Sequence, residues 1–253
     1  MDDATLLRSW RTRFAEPTTG WSFEVFGDSI TADELPWSYP DLARAALCGA
    51  RSALDIGTGG GEVLLGLADA LPNDTVATEG WAPNLPLAKD ALAPRGIEVV
   101  HYDAEGPDPP LPFADGRFDV VLDGHEAYVA SEIARVLRPG GRFVTQQVDG
   151  RDFEQTHALF GSENAYVHVT LDRFREDAET AGLEVVEAHD WQGTMWFDDV
   201  ATLVSYLRMV PWEVPDDFTP DAYAGPLLRL HHSCSDLAFS QRRFALVCRL
   251  PRR

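Results

Sequence analysis

From residue 51 onward, short apolar runs alternate with longer segments whose apolar positions recur at helical spacing. The runs are SALDIG (52–57), DTVATEG (74–80), GIEVVHYD (96–103), FDVVLDG (118–124), RFVTQQV (142–148), LEVVEAHDW (183–191) and RRFALVCRL (242–250). Between them, helices are predicted over about 62–70, 84–92, 126–138 and 171–181. Strands that alternate with helices imply βαβ units and a parallel sheet. Their near-continuous apolar character fits strands covered by helices on both faces. Ahead of this region, residues 3–16 read as an amphipathic helix with Leu6, Leu7, Trp10 and Phe14 on one side. An aromatic-rich stretch follows with Trp21, Phe23, Phe26, Trp37 and Tyr39, and Pro40-Asp41 then introduce a helix to about Cys48. Residues 195–238 read as a helical insertion holding Trp196, Tyr206, Trp212 and Tyr223, a candidate lid over a binding site.

Composition narrows the partners. The chain has 253 residues, with 21 Lys+Arg against 41 Asp+Glu and a formal charge of −20. Lys89 is the single lysine, and there is no Lys/Arg-dense run to meet a phosphate backbone. Nucleic acid and anionic membrane surfaces are therefore unfavoured partners, and a small-molecule substrate is expected. No stretch has the run of roughly 20 apolar residues that spans a bilayer. The opening MDDATLLRSWRTRF has no apolar signal region. Cys48, Cys234 and Cys248 are widely spaced without a CxxC pair, which fits reduced cysteines and a cytoplasmic location.

The chemistry concentrates at Leu54-Asp55-Ile56-Gly57-Thr58-Gly59-Gly60-Gly61-Glu62, where a strand turns into a helix. Glycines there permit positive φ and close approach of a ligand to the backbone. No Lys-Ser or Lys-Thr follows, so the loop is not a GxxxxGK[ST] phosphate cradle. The dinucleotide fingerprint GxGxxG fails at Glu62, an acid where a pyrophosphate would sit. The pattern D-x-G-x-G-x-G, made by Asp55, Gly57, Gly59 and Gly61, resembles the first motif of the class I S-adenosylmethionine-dependent methyltransferases.

Further segments resemble that family in order: Glu79, 22 residues after Gly57; Tyr102-Asp103-Ala104; LPFADGRFDVV (111–121); and EIARVLRPGG (132–141). The resemblance covers about residues 50–148 and is to the small-molecule type with a methyltransferase-11-like core. It implies an α/β, Rossmann-like, seven-stranded, mostly parallel sheet with helices on both faces and an antiparallel last strand. The chain then reads as a single domain over 1–253, with an N-terminal helical cap (1–49), a cofactor-binding core (50–148), and sheet completion with the lid insertion (149–253). S-adenosylmethionine is the implied cofactor and S-adenosylhomocysteine its product. Residue by residue, the resemblance implies that Gly57, Thr58, Gly59 and Gly61 approach the methionine portion, with Asp55 fixing the loop or a bridging water. Glu79 would take the ribose hydroxyls, Asp103 and Ala104 the adenine edge, and Asp123 the methionine ammonium. Gly80 stands where the family often has a branched apolar residue against adenine, and Trp81 can supply that face instead. The segment EGPDPP (105–110) is longer and richer in proline than the family's usual loop.

Methyl transfer from a sulfonium depends mainly on alignment of nucleophile, methyl carbon and sulfur, so the family's motifs fix the cofactor and leave the acceptor open. His125, just beyond a strand end, is the candidate general base. Glu126 and Tyr128 are candidate pocket residues, with Glu126 also read as a first-turn helix charge. One of Gln146 and Gln147 is expected to face the pocket, since neighbours on a strand point oppositely. No metal is expected: His231, His232 and Cys234 lack a completing ligand. The aromatics Trp21, Phe23, Phe26, Trp37, Tyr39, Trp191, Trp196, Phe197 and Trp212 read either as the glue of the cap or as an apolar acceptor pocket. The function expected is methyl transfer to a small organic acceptor on O, N or C. The alternatives are an RNA or protein methyltransferase, or a non-catalytic S-adenosylmethionine-binding protein.

Overall fold

The computed structural model describes residues 1–16, 23–103, 110–233 and 236–252. Ala104, Trp21, Cys234 and most of the EGPDPP segment lie outside them. The elements in chain order are α1 (Asp3–Ala15), β1 (Ile30–Ala32), α2 (Tyr39–Leu47), β2 (Ser52–Ile56), α3 (Glu62–Gly66), β3 (Asp74–Glu79), α4 (Asn84–Leu92) and β4 (Glu98–His101). There follow β5 (Phe118–Gly124), α5 (Ala130–Val136), β6 (Leu137–Val148), α6 (Glu154–Phe160), α7 (Leu171–Thr180), β7 (Glu184–Phe197), α8 (Val200–Met209), α9 (Ala224–His232) and β8 (Leu237–Arg249). They divide into a larger unit, residues 36–148, 168–190 and 243–253, and a smaller unit, residues 1–35, 149–167 and 191–242.

The larger unit holds the expected α/β sheet, in the order β7-β8-β6-β5-β2-β3-β4. The pairs β2–β3, β2–β5, β3–β4 and β5–β6 are parallel, and β8 runs antiparallel to β6. Successive residues of the central strands feed opposite faces, as the two-residue period of a strand requires. Leu54, Val121, Phe143 and Leu246 enter one buried cluster with Ile133, Ala178 and Leu183. Their neighbours Ala53, Val120, Val144 and Val247 enter another with Tyr39, Ala43, Leu47 and Leu67. Every residue of β2 is buried.

The starts of α1, α2, α7 and α8 follow side-chain capping. Asp2 accepts from the Thr5 N–H (2.9 Å), and Asp199 from the Thr202 N–H (2.8 Å). Ser38 caps α2, with Pro40 in its first turn, where no amide hydrogen is needed. The helix expected over 126–138 begins instead at Ala130. The Glu126 carbonyl, which would accept the first intrahelical bond, is taken by the Gln147 side chain (3.0 Å), and His125 has φ 72°. Likewise α3 stops at Gly66, because the Leu67 N–H turns back to the Leu64 carbonyl (3.1 Å).

In the smaller unit, residues expected to be helical from 195 continue as strand to Phe197. Their partner is β1, a strand the pattern did not announce, paired antiparallel in the register Ile30↔Phe197, Thr31↔Trp196, Ala32↔Met195. The rest of the insertion contains α8 and α9, and β8 begins at Leu237, ahead of the expected start at 242. This unit has its own core, in which Leu6 and Trp10 of α1 share a cluster with Phe153, Phe197, Leu203, Leu207 and Phe239. Phe153 stacks on Phe239 (5.4 Å between centroids) and on Tyr206 (5.2 Å). Phe23 and Phe26 also contact Tyr206, and Phe197 belongs to the core, so these aromatics are glue. Trp37 and Tyr39 fall in the larger unit. Truncating the fully buried Leu203 to Ala is expected to destabilise the protein by roughly 2–5 kcal/mol, measured as a lower urea midpoint in equilibrium unfolding.

Candidate active site

The carboxyl ends of β2, β3, β5 and β6 gather the polar residues of the larger unit. Register pairs Ile56 with Asp123 and Gly124 with Gln146. Gly57, Gly59 and Gly61 all adopt positive φ (64°, 62° and 91°), so the loop after β2 curls in a way side chains resist. A Cβ on Gly57 would lie 2.5 Å from the Cβ of Glu126, and one on Gly61 would lie 3.0 Å from Leu92 Cγ. At Gly59 a Cβ meets nothing within 4 Å. Two glycines are thus dictated by protein neighbours, and the third by backbone conformation alone.

Glu79, at the end of β3, secures this loop. Its Oε2 accepts from the Gly59 N–H (2.7 Å) and its Oε1 from the Trp81 N–H (2.7 Å). The Thr58 N–H donates to the Thr78 carbonyl (2.9 Å), stitching the loop to the same strand. Burial raises the Glu79 pKa above the ordinary carboxylate value, and the backbone donors at Trp81, Gly59 and Gly80 oppose it. Gly80 is explained by crowding: a Cβ there would lie 2.7 Å from the Tyr102 carbonyl oxygen and 2.9 Å from Asp103 Cα. No branched residue fits. Trp81 is 47% exposed and Asp103 is exposed, while Ala104 lies outside the described residues.

Two more acids lie beneath the loop. Asp55 is buried in β2, and desolvation, opposed by Thr58 and reinforced by Glu79, raises its pKa to about 7. Asp123 is fully buried, with its pKa raised well above the carboxylate range, again mainly by desolvation. Its Oδ1 accepts from the Glu126 N–H (3.1 Å) and from Gln147 Nε2 (3.0 Å), while Oδ2 is buried without a partner. The hydroxyls of Tyr39 and Thr58 are also buried and unpaired. Burial, together with the Asp55 and Asp123 charges, raises the Tyr39 pKa.

His125 is exposed, and its N–H donates to the Gln146 carbonyl (2.8 Å). Desolvation by the surrounding protein, with repulsion from Arg243, draws its pKa down to about 4. Its Nε2 lies 3.1 Å from Gln146 Nε2, and Gln146 Oε1 accepts from Trp37 Nε1 (2.8 Å).

Several expectations change on this geometry. Glu126 is not a first-turn helix charge; it precedes α5, and its side chain lies over Gly57. The Tyr128 ring packs edge-on against Phe143 (4.8 Å) and Phe174 (5.3 Å), with its hydroxyl buried and subject to the Asp123 charge. Gln146 and Gln147 are both engaged at the strand ends, with different partners. Trp37 and Tyr39, read above among the aromatics of a cap or pocket, and Gln147, one of the two glutamines considered, lie in the site region. The signal available for Tyr39 was its place at a capped helix start, which says nothing about what it faces. Of the histidines considered for a metal, His232 pairs with Asp3 (2.9 Å) and His231 meets Trp10 edge-on (5.9 Å).

The raised Asp55 pKa has a sign that can be tested. The native carboxyl keeps its proton up to about pH 7, whereas the unfolded one loses it near the ordinary value of 3.8. Between those limits the native state binds more protons, so stability falls as pH rises across that window and levels off above it. Asp55→Asn is expected to remove this slope, raising the melting temperature at about pH 8 relative to wild type more than at about pH 5, an effect of a few kcal/mol.

Comparison with known proteins agrees with this arrangement. Residues 54–145 match the family described as methyltransferase domain. A ubiquinone/menaquinone biosynthesis C-methyltransferase of Desulfotalea psychrophila is 34% identical over 116 residues, covering 43% of this chain and 46% of that protein. A demethylmenaquinone methyltransferase of Thermus thermophilus is 33% identical over 121 residues, covering 44% of this chain and 53% of that protein. The chain thus spans about half the length of the curated relatives it matches. Among solved structures, a candidate methyltransferase of Bacillus halodurans C-125 superposes with a TM-score of 0.61 at 21% identity, over 85% of this chain and 99% of that one, a likeness of fold. Motifs, sheet order and matches coincide on one segment, residues 54–145, which is similar to the family described as methyltransferase domain.

Proposed function

We propose that the protein transfers a methyl group from S-adenosylmethionine to a small organic acceptor, on O, N or C. The observation that carries this reading is the glycine loop with its Glu79 anchor, surrounded by buried acids and without a phosphate-binding cation. Asp123 Oδ2 and the Tyr39 and Thr58 hydroxyls are buried without partners, and the space at Gly59 is open. An amino-acid moiety with an ammonium supplies what those oxygens lack, and burying them without such a partner costs free energy.

In this reading Gly57, Thr58, Gly59 and Gly61 admit the methionine portion to the backbone, and Asp55 holds the loop from below. Asp123 takes the ammonium. The Glu79 carboxylate already accepts backbone N–H groups on both oxygens and has lone-pair capacity left for a ribose hydroxyl. Asp103 and Ala104 meet the adenine edge, and Gly80 and Trp81 border it. When bound, S-adenosylmethionine supplies an activated methyl on a sulfonium. The protein's part is to hold and orient, which is worth about 7–11 kcal/mol for well-aligned reactants. The whole chain acts as one methyltransferase domain, with the aromatic segment over 195–238 serving acceptor choice. We place it in the cytoplasm with reduced cysteines: among the described residues Cys48 and Cys248 are free, and no helix is long and apolar enough to cross a membrane. The −20 charge favours a small acceptor over nucleic acid.

Calorimetry tests the assignment: S-adenosylhomocysteine is expected to bind and NAD not to, and the reverse would overturn it. Gly59→Ala is expected to fold, at a cost of about 1–2 kcal/mol for a non-glycine residue at positive φ. Because its Cβ enters the open space, it should weaken S-adenosylhomocysteine by roughly tenfold or more, equivalent to about 1.4 kcal/mol. Glu79→Gln should weaken it likewise. Incubation with labelled S-adenosylmethionine and a panel of phenols, amines, carboxylic acids and demethylmenaquinone identifies the acceptor.

A further inference from the structure

We propose that Trp37 and Gln146 hold His125 as the neutral tautomer protonated on Nδ1, so that it offers the methyl acceptor a hydrogen-bond donor for an oxygen lone pair and does not act as a general base. The proposal deepens the methyl-transfer reading and rests on it for the identity of the acceptor site.

Three side chains in series fix the tautomer. An indole Nε1–H can only donate, so the atom 2.8 Å from it must be the Gln146 oxygen, which fixes which way the amide faces. The amide nitrogen is then the atom 3.1 Å from His125 Nε2. An amide nitrogen has no lone pair to give. The imidazole nitrogen facing it therefore accepts, and a neutral ring with a lone pair on Nε2 carries its proton on Nδ1. Protonating Nε2 would set two N–H groups against each other.

The rest of the surroundings agrees. The His125 peptide N–H is tied to the Gln146 carbonyl (2.8 Å), so backbone and side chain are held to the same residue of β6. Trp37 is itself placed against His189, with 5.3 Å between ring centroids. Asp123 and Glu126, the acids on the His125 segment, are engaged elsewhere: Asp123 Oδ1 with Glu126 N–H and Gln147, and Glu126 Oε1 with the Ala127 N–H (3.0 Å). The charge acting on the ring is Arg243 from β8, which repels a proton. His125 also sits at φ 72°, a conformation that Asn and His tolerate better than most residues. A base at this place would have to receive a proton on Nε2, which is occupied. A donor at Nδ1 instead selects acceptors that present a carbonyl, phenolate or carboxylate oxygen beside the methylated atom.

Long-range proton–nitrogen NMR of the ¹⁵N-labelled full chain tests this without any substrate. The seven histidines are assigned by difference, using His125→Asn for this one. The expected result is a lone-pair Nε2 and a protonated Nδ1, unchanged between about pH 5.5 and 8. Gln146→Glu puts an acceptor against Nε2 and should shift the proton there, with a titration near or above the ordinary histidine value. Trp37→Phe frees the amide and should yield a mixture of tautomers. In the presence of S-adenosylhomocysteine, 4-nitrophenolate should move the Nδ1 proton downfield. An Nε2–H ring in the wild type, a wild-type titration near pH 6.5, no response to Gln146→Glu, or no response to 4-nitrophenolate would each overturn the proposal. Failure of S-adenosylhomocysteine to bind would instead overturn the methyl-transfer reading and leave the tautomer result standing.

Discussion

The carboxylate of Glu79 accepts a backbone N–H from Gly59 on one oxygen and from Trp81 on the other, and the geometry of the glycine loop depends on that bridge. Two adjacent parallel strands end at the same level, and each is followed by a turn with unpaired amides. One buried carboxylate satisfies an amide from each, so the turns hold a common position. A charged group forming two such bonds in a low-dielectric setting contributes more than neutral pairs do. The same bridge leaves lone-pair capacity on the carboxylate, so it can organise the loop and still accept from a ligand.

Around this bridge the protein accepts an electrostatic cost. Asp55 is buried close to Glu79 and Asp123 close to Asp55, and their pKa values rise because desolvation outweighs the hydrogen bonds they receive. Such an arrangement contributes nothing to stability near neutral pH, and at Asp55 it subtracts. Buried acids with unpaired oxygens are retained where a cation is to be met. In the proposed reading the small share of the −20 charge that lies here meets the cofactor, while the remainder is surface charge.

How much of this was legible beforehand differs by element. β2, β3 and β5 were read almost to the residue, because strands buried on both faces are written as continuous apolar runs between turn residues, whereas β6 starts at Leu137, five residues ahead of the expected 142. The Gly57–Gly61 loop and Glu79 were readable from spacing, since a strand–turn–helix unit converts sequence offsets into fixed positions. β1 was not readable: three residues, Ile30–Ala32, carry no period, and only pairing with Met195–Phe197 makes them a strand. The late start of α5 was equally hidden, because it turns on Gln147 reaching the Glu126 carbonyl from a strand 21 residues away. Gly80 looked like a departure from the expected pattern, and proved to be what the Tyr102 carbonyl permits.

The sequence by itself determined the α/β sheet, the glycine turn and the acids that end its strands, because local periodicity and short-range spacing dictate these. Tertiary structure decided what those groups do to one another. The side chain over Gly57, the partners of Asp123 and the tautomer held at His125 all depend on residues brought together from different strands. Trp37 and Gln146 are 109 positions apart, and only the folded sheet puts an indole N–H where it can choose the orientation of an amide and, through it, the proton on a histidine.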